Sequence, residues 1–108
     1  MTVLRHVLLL NWAHPLSAAE LAEVQAAIDR LAEEAGSVRA LSHGADAGLR
    51  GGRYDYALVV DFDDGDGWAT YSAHPAHEKL RQLLEPIKKD TCVTQFYVED
   101  AHSHPKRP

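Results

Sequence analysis

The chain has 108 residues, a formal net charge of −5 and 45% hydrophobic residues, a composition typical of one globular domain. The acidic balance argues against nucleic-acid binding, which needs a basic surface, and no apolar run is long enough to span a membrane. The single cysteine excludes a disulfide within the chain. Since the first residues also lack the features of a signal peptide, we expect a cytoplasmic protein.

An apolar run and a capped helix make up the first third of the chain. Residues 3–10 carry apolar side chains on both faces, which predicts a strand that is covered on both sides. Ser17 and Glu20 have the spacing of a capping box, and apolar residues recur after them at helical spacing. The pattern predicts a helix over residues 18–35, with Gly36 as its stop.

Two further strands are predicted in the middle of the chain. Residues 38–43 form a weak strand, and the glycine-containing loop 44–52 leads into a strong strand over 54–62. The acidic run 63–67 is predicted to be a turn, because it lacks the twelfth-position glutamate of a calcium loop. In the third strand, alternation places four apolar or aromatic residues on one face. These residues are Tyr56, Leu58, Val60 and Phe62.

The last third of the chain is predicted to hold two helical segments and a strand. A short helix over 68–73 is followed by a second helical segment over 76–89. His74 is expected to cap this segment, and Pro75 suits its first turn, where a missing N–H costs no hydrogen bond. The last strand is predicted over 92–99.

The predicted order of elements, β-α-β-β-α-β, is that of an α+β domain with the ferredoxin-like arrangement. We expect this single domain to cover residues 1–100, and the polar residues 101–108, with two prolines, to form a flexible tail. Helices cover only one face of such a sheet, yet the other face is apolar here, so a second copy of the chain is expected to cover it. The apolar residues of that face are Val3, Val7, Leu9, Ala57 and Val59.

Histidine is the residue type that stands out, with seven in the chain. Tyr71, His74 and His77 follow one another at spacings of three on a helical segment, and His6 lies on the face of the first strand that can meet the helices. An imidazole titrates near neutral pH, and a phenol can donate a proton or hold an enolate oxygen. We therefore predict an acid–base site formed by His6, Tyr71 and His77.

Structural explanations remain open for each of these residues. His6 alone could be a core histidine with one satisfied hydrogen bond, and Tyr71 could be a core aromatic residue. His74, which precedes a proline, is better explained as a helix cap than as a catalyst.

No metal site and no cofactor are expected. His74 with His77, or the tail pair His102 and His104, would lack the third donor and the supporting shell of a dedicated metal site. Cys92 lies in the predicted last strand, where we expect it to pack as an inert side chain.

Three stretches match the pattern of a known family, namely His6-Val7, the run at 54–60 and the motif Tyr71-x-x-His74-Pro75-x-His77. Over about residues 3–98, the chain thereby resembles the Dabb family, the stress-responsive A/B-barrel domains. The resemblance implies a homodimer of the dimeric α/β-barrel type, in which two four-stranded sheets face each other and the helices lie outside.

Within that family, the resemblance is to a plant polyketide cyclase, which closes a linear polyketide by aldol condensation without a metal. It implies that His77 and Tyr71 are catalytic and that His6 lies in the pocket. Gln95 falls where the cyclase has an aspartate near its histidine, so no charge would stabilise a His77 imidazolium. The residues expected to bind the substrate are Leu8, Leu10, Val24, Ile28, Tyr56, Leu58 and His74.

We therefore predict a cofactor-free lyase, cyclase or isomerase that acts on a small, partly apolar carbonyl compound. His77 would take a proton from carbon, Tyr71 would hold the oxyanion, and His6 would orient the substrate or pass a proton. Two alternatives remain open. The chain could be a non-catalytic, stress-responsive dimer that binds a hydrophobic ligand or a partner. It could also be a cofactor-free monooxygenase, in which Trp12 and Trp68 would lie near a bound aromatic substrate, as aromatic residues do in related barrels.

Overall fold

A four-stranded antiparallel sheet carries three helices on one face. The computed structural model describes residues 2–106, and its strands lie in the order β2-β3-β1-β4. The predicted ferredoxin-like α+β fold is confirmed. The elements are β1 (Val3–Trp12), α1 (Ala18–Glu34), β2 (Val38–Ala45), β3 (Tyr56–Phe62), α2 (Gly65–Ala73), α3 (Pro75–Leu84), β4 (Lys88–Val98) and a single 3₁₀ turn (Asp100–His102).

Alternation along the central strands builds the core. The predicted face of β3 is fully buried, while the residues between its members are only partly buried. On β1, the neighbouring buried residues are Leu4, His6 and Leu10. Helix α1 adds Val24 and Ile28, both 0% exposed, because its apolar stripe lies flat on the sheet. Within residues 2–106, no helix is both long and apolar enough to cross a membrane.

The capping box predicted for α1 is present. The Ser17 hydroxyl accepts a hydrogen bond from the Glu20 N–H at 3.1 Å, and the Glu20 carboxylate accepts one from the Ser17 N–H at 2.9 Å. Two amides that the helix cannot satisfy internally are thus paired.

The helical region before β4 breaks at His74, as predicted. The backbone of His74 is extended (φ −68°, ψ 140°), and its Nδ1 accepts a hydrogen bond from the Ala76 N–H at 3.0 Å. Pro75 then occupies the first position of α3, where its fixed φ suits a helix and its missing N–H leaves no bond unmade.

Helix α2 begins earlier than predicted, inside the acidic run that was expected to be only a turn. Asp64 caps the helix by accepting a hydrogen bond from the Gly67 N–H at 3.0 Å. The run 63–67 therefore holds both the cap and the first helical turn, because an aspartate at this position satisfies an otherwise free amide.

The predicted end of α3 at residue 89 is wrong, since α3 ends at Leu84. Pro86 has no N–H with which to continue the helical ladder, although Glu85 before it still has helical backbone angles (φ −50°, ψ −49°). The chain consequently turns earlier, and β4 begins at Lys88 rather than at residue 92. The edge strand therefore begins four residues earlier than predicted.

Smaller differences concern the other strand ends. Strand β1 continues to Trp12 and β2 to Ala45, whereas β3 begins at Tyr56 rather than at residue 54. The described part of the tail forms the 3₁₀ turn and is exposed through residue 106, and residues 107–108 lie outside the described residues.

Strand β4 lies at the edge of the sheet, and most of its side chains are exposed. Val93 and Tyr97 are about half exposed on the helix side, at 51% and 53%, and Phe96 is 47% exposed on the opposite side. Cys92 is exposed as well. The packing expected for Cys92 is not found within one chain, because Cys92 lies opposite Leu9 on the face of the sheet away from the helices.

The face of the sheet away from the helices is partly apolar, as predicted. Val7, Leu9, Ala57 and Val59 are each partly buried by their neighbours and covered by no helix. On the central strands of this face, Arg5 and Asp61 form an ion pair with two hydrogen bonds. Arg5 Nε donates to Asp61 Oδ1 at 2.8 Å, and Arg5 Nη2 donates to Asp61 Oδ2 at 2.9 Å.

Replacing Ser17 tests the capping box. Ser17→Ala should lower the free energy of unfolding by about 1 kcal/mol, because the Glu20 amide loses its acceptor. Urea unfolding at matched protein concentration measures this loss, and Ser103→Ala, at an exposed position outside the α-helices, serves as the control. Equal stability of Ser17→Ala and the unmodified protein would show that the hydroxyl does not act as the cap.

Candidate functional site

The structure brings the three predicted acid–base residues together on the helix side of the sheet. The rings of Tyr71 and His77 meet edge to face, with centroids 5.0 Å apart, and the His6 ring centroid lies 6.4 Å from that of Tyr71. Tyr71 comes from α2, His77 from the first turn of α3, and His6 from β1. The strand parity of His6, which it shares with Leu8 and Leu10, aims it at this point.

A cavity of about 160 Å³ opens beside the Tyr71–His77 pair. It has roughly five times the volume that one water molecule occupies in the liquid, so it suits a small organic molecule. Tyr71 and His77 line it, whereas His6 lies next to Tyr71 outside the lining. The other lining residues are Leu8, Leu10, Leu58, Leu80, Arg81, Leu84, Lys88 and Thr91.

Of the residues expected to bind a substrate, Leu8, Leu10 and Leu58 line the cavity. Val24 and Ile28 do not: they are completely buried, because α1 packs against the sheet without leaving a gap. They belong to the core of the domain, and their expected place in the pocket wall is wrong.

Tyr56 and His74 also lie outside the cavity lining, and each has a structural partner. The Tyr56 hydroxyl is 2.6 Å from His43 Nδ1, and His43 Nε2 is 2.6 Å from the Asp29 carboxylate. This chain of hydrogen bonds ties α1 to β2 and β3. His74 caps α3 through its ring nitrogen, which is the structural explanation left open for it.

Sequence reasoning missed half of the cavity wall. Leu80, Arg81 and Leu84 follow His77 at spacings of three, four and seven, so they share its face of α3. That periodicity could have identified them. Lys88 and Thr91 enter the wall only because the chain turns at Pro86 and returns beside β1, which no local pattern indicates.

Burial favours the neutral forms of the three acid–base side chains, His6, Tyr71 and His77. It lowers the pKa of His77, with a further lowering by the Arg81 charge and an opposing effect of Glu78. It also lowers the pKa of His6, to which a His77 charge adds, and raises the pKa of Tyr71 to about 12. Both imidazoles are therefore neutral and able to accept a proton, and the phenol remains a hydrogen-bond donor.

The polar atoms of Tyr71 and His77 are available to a ligand. Burial accounts for the raised pKa of Tyr71. Within residues 2–106, no hydrogen bond contributes to the pKa of Tyr71 or of His77. Within the same residues, every buried side-chain nitrogen or oxygen atom has a hydrogen-bond partner. A phenol and an imidazole thus face an apolar cavity with their hydrogen-bonding capacity unused.

Gln95 contacts His6, not His77 as the resemblance implied. Its Nε2 lies 2.9 Å from His6 Nδ1, because the strand register places Gln95 directly opposite His6. In this orientation of the amide, Nε2 donates to His6 Nδ1, which corresponds to the tautomer with the ring proton on Nε2. Gln95 thereby fixes which ring nitrogen of His6 can donate a hydrogen bond.

Neither tryptophan lines the cavity. Trp12 packs against Tyr56, with ring centroids 5.8 Å apart, and Trp68 is 36% exposed. The two residues that had kept a monooxygenase open thus lend it no support. Among residues 2–106, no group of three or more histidine, cysteine, aspartate or glutamate side chains is placed to hold a metal ion.

The tautomer of His6 can be tested by NMR on protein with ¹⁵N-labelled histidine. We expect His6 to carry its proton on Nε2. Gln95→Glu should move the proton to Nδ1 and raise the pKa of His6, since a carboxylate accepts and adds negative charge. Thr94→Val, next in the chain but on the opposite face, should leave the His6 signals unchanged. A proton on Nδ1 in the unmodified protein would contradict the assignment.

Comparison with known proteins identifies a family and several solved structures with the same fold. A family model described as the stress responsive A/B barrel domain (Dabb) matches residues 4–98. A dimeric ferredoxin-like protein of unknown function from Thermobifida fusca has a similar solved structure, with 30% identity over 90% of this chain and 92% of that chain and a TM-score of 0.82. No curated protein matches this chain.

Two more distant structures share the fold. A hydroxynitrile lyase from Passiflora edulis is 16% identical over 95% of this chain and 97% of its own, with a TM-score of 0.79. A Dabb family protein from Mesorhizobium loti is 14% identical over 89% and 96%, with a TM-score of 0.74. At these identities the likeness concerns the fold alone.

Proposed function

This chain belongs to the stress responsive A/B barrel domain family, and we propose that it is a cofactor-free enzyme of the lyase or cyclase type. Its substrate is a small, partly apolar carbonyl compound, such as a polyketide with several carbonyl groups along its chain. The observation that carries the proposal is the Tyr71–His77 pair, which faces an apolar cavity with free polar atoms.

In the proposed reaction, the neutral His77 ring takes a proton from the carbon beside the substrate carbonyl. The electron pair of the broken C–H bond moves toward the carbonyl oxygen, and the Tyr71 hydroxyl donates a hydrogen bond to the resulting enolate. The enolate carbon then attacks a second carbonyl carbon, so that a C–C bond forms while the π bond of that carbonyl breaks. The new alkoxide takes up the proton held by His77, which returns the ring to its neutral form. His6 donates its Nε2–H toward Tyr71 or the substrate and so orients them.

The family supplies a second line of support. A lyase exists on the same fold, in the Passiflora edulis hydroxynitrile lyase, so acid–base cleavage of carbon bonds is compatible with this architecture. Fold-level likeness alone does not transfer a substrate. The chemistry proposed for this chain therefore depends on its own Tyr71 and His77.

A ligand-binding role without catalysis is the second candidate. It is favoured by the surroundings of His6, whose neighbour Gln95 is uncharged and does not stabilise a protonated His6 ring as a carboxylate would. In that case the cavity would hold its ligand without removing a proton from it.

Proton exchange in heavy water tests the enzymatic proposal. With a panel of small ketones and aldehydes, the protein should catalyse deuterium uptake at the carbon beside the carbonyl, as followed by NMR. His77→Ala should abolish this exchange, and Tyr71→Phe should slow it by about ten- to a thousand-fold through loss of one oxyanion donor. Because the pKa of His77 is lowered, the rate should persist below pH of about 6.5, the ordinary imidazole value.

The exposed histidine His104 provides the matched control for this experiment. His104→Ala should retain the exchange rate of the unmodified protein. Undiminished exchange in His77→Ala would refute the assigned base. Binding of a panel member without any exchange would favour the ligand-binding role instead.

We also propose that the chain forms a homodimer through the sheet face that carries Val7, Leu9, Ala57 and Val59. An apolar face of this kind is stable when a second copy covers it, and the similar Thermobifida fusca protein is described as dimeric.

Analytical ultracentrifugation at micromolar concentration should therefore detect a dimer. Val59→Asp should dissociate it, because two copies would bury carboxylates against each other. Leu49→Asp, on a loop residue that is 92% exposed, should leave the dimer intact. A stable monomer in the unmodified protein would contradict the proposed assembly.

A further inference from the structure

The charged residues that line the cavity are both cations. Arg81 and Lys88 line it, and its wall includes no carboxylate among the residues that the structure describes. The chain as a whole has a formal net charge of −5, so the cavity wall, with two cations, differs in sign from the whole chain. A cleft lined by one sign of charge concentrates ligands of the opposite sign.

We propose that the ligand of this cavity carries a carboxylate, which Arg81 and Lys88 bind while its apolar body lies against the leucines. The inference rests on the proposed function, because it specifies the substrate class of the same site. The substrate would then be a small keto acid or a related carbonyl compound with an acidic end.

Both cations have hydrogen-bonding capacity to spare. Arg81 uses Nε and Nη2 to bind Glu78, at 2.9 and 2.7 Å, which leaves Nη1 for a ligand. Lys88 Nζ has a single, longer approach of 3.4 Å to Glu85. Neither glutamate lines the cavity. The longer Lys88–Glu85 pair is weak, and the unused Nη1 of Arg81 can bind a carboxylate without breaking the bidentate pair with Glu78.

The spacing along α3 relates the acidic end to the reacting atoms. Arg81 lies four residues after His77 on the same face, so their backbones are about 6 Å apart along the helix axis. A carboxylate at Arg81 would therefore lie a few bonds from a carbon at His77. The leucines Leu80 and Leu84 flank this path and accept the apolar part of the ligand.

Binding of the carboxylate should also affect the base. The positive charge of Arg81 lowers the pKa of His77, and a bound anion would offset that charge. The pKa of His77 would then rise on binding, making the ring a stronger base when the substrate is present. An uncharged ligand of the same shape would lack this effect.

A pair of ligands that differ only in charge tests the proposal. Hexanoate and hexanamide are titrated into ¹⁵N-labelled protein at about pH 8, where His6 and His77 are neutral because their pKa values are lowered. The shifts of cavity residues give both affinities. Hexanoate should bind about tenfold more tightly, because its contacts are charge-assisted. It should also raise the pKa of His77, which hexanamide should not do.

Variants identify the cation responsible. Arg81→Gln should lower hexanoate affinity toward that of hexanamide, with Lys88 retaining part of the preference, and should leave hexanamide binding unchanged. Glu78→Gln should tighten hexanoate binding, because it frees the guanidinium. Arg39→Gln removes an exposed cation that lies outside the cavity and should change neither affinity.

The outcomes separate this inference from the proposed function. Equal affinity for the two ligands, or full retention of hexanoate binding in Arg81→Gln, would overturn the inference and leave the proposed His77 chemistry in place. If neither ligand shifted the cavity residues, both the carboxylate inference and the assignment of the cavity as a ligand site would fail.

Discussion

The antiparallel pairing of β1 with β3 on one side and β4 on the other determines which side chains can meet in this protein. Because side chains alternate along a strand, the register places His6, Leu8 and Leu10 beside Leu58 on one flank and Gln95 on the other. A slip of one residue would turn His6 to the opposite face and expose the core. The core and the candidate site therefore depend on the same register.

The break at His74 is the second requirement of the site. In a continuous helix, residues six positions apart point about 120° away from each other, so Tyr71 and His77 would face different sides. The extended backbone of His74 and the start of a new helix at Pro75 redirect the chain. The two rings consequently meet at 5.0 Å, and the capping role of His74 is what makes that contact possible.

The site combines neutral groups that exchange protons with cations that keep their charge. Burial holds His6 and His77 in the neutral form, whereas Arg81 and Lys88 are partly exposed and paired with glutamates outside the cavity. Along α3, His77 and Arg81 lie about one helical turn apart. An acidic ligand can thus be held at one end while its carbonyl is presented to the imidazole at the other.

Local patterns in the sequence were enough to predict the fold class, the alternation of β3, the capping box at Ser17 and the cap at His74. Each depends on residues within one strand or one helical turn, whose geometry repeats at a known period. The same reasoning selected His6, Tyr71 and His77. It failed at the end of α3, because the prolonged helical spacing outweighed Pro86, whose missing N–H stops the ladder.

Tertiary structure decided the rest of the site. Val24 and Ile28 share a helical face that could have lined a pocket, but α1 lies against the sheet without a gap and buries them entirely. Gln95 is 89 residues from His6 in the chain, and only the pairing of β4 with β1 brings them together. Lys88 and Thr91 reach the cavity through the same pairing. Sequence periodicity specifies which face of an element a residue occupies, but the gaps between elements and the register across strands depend on contacts between distant segments, which periodicity does not encode.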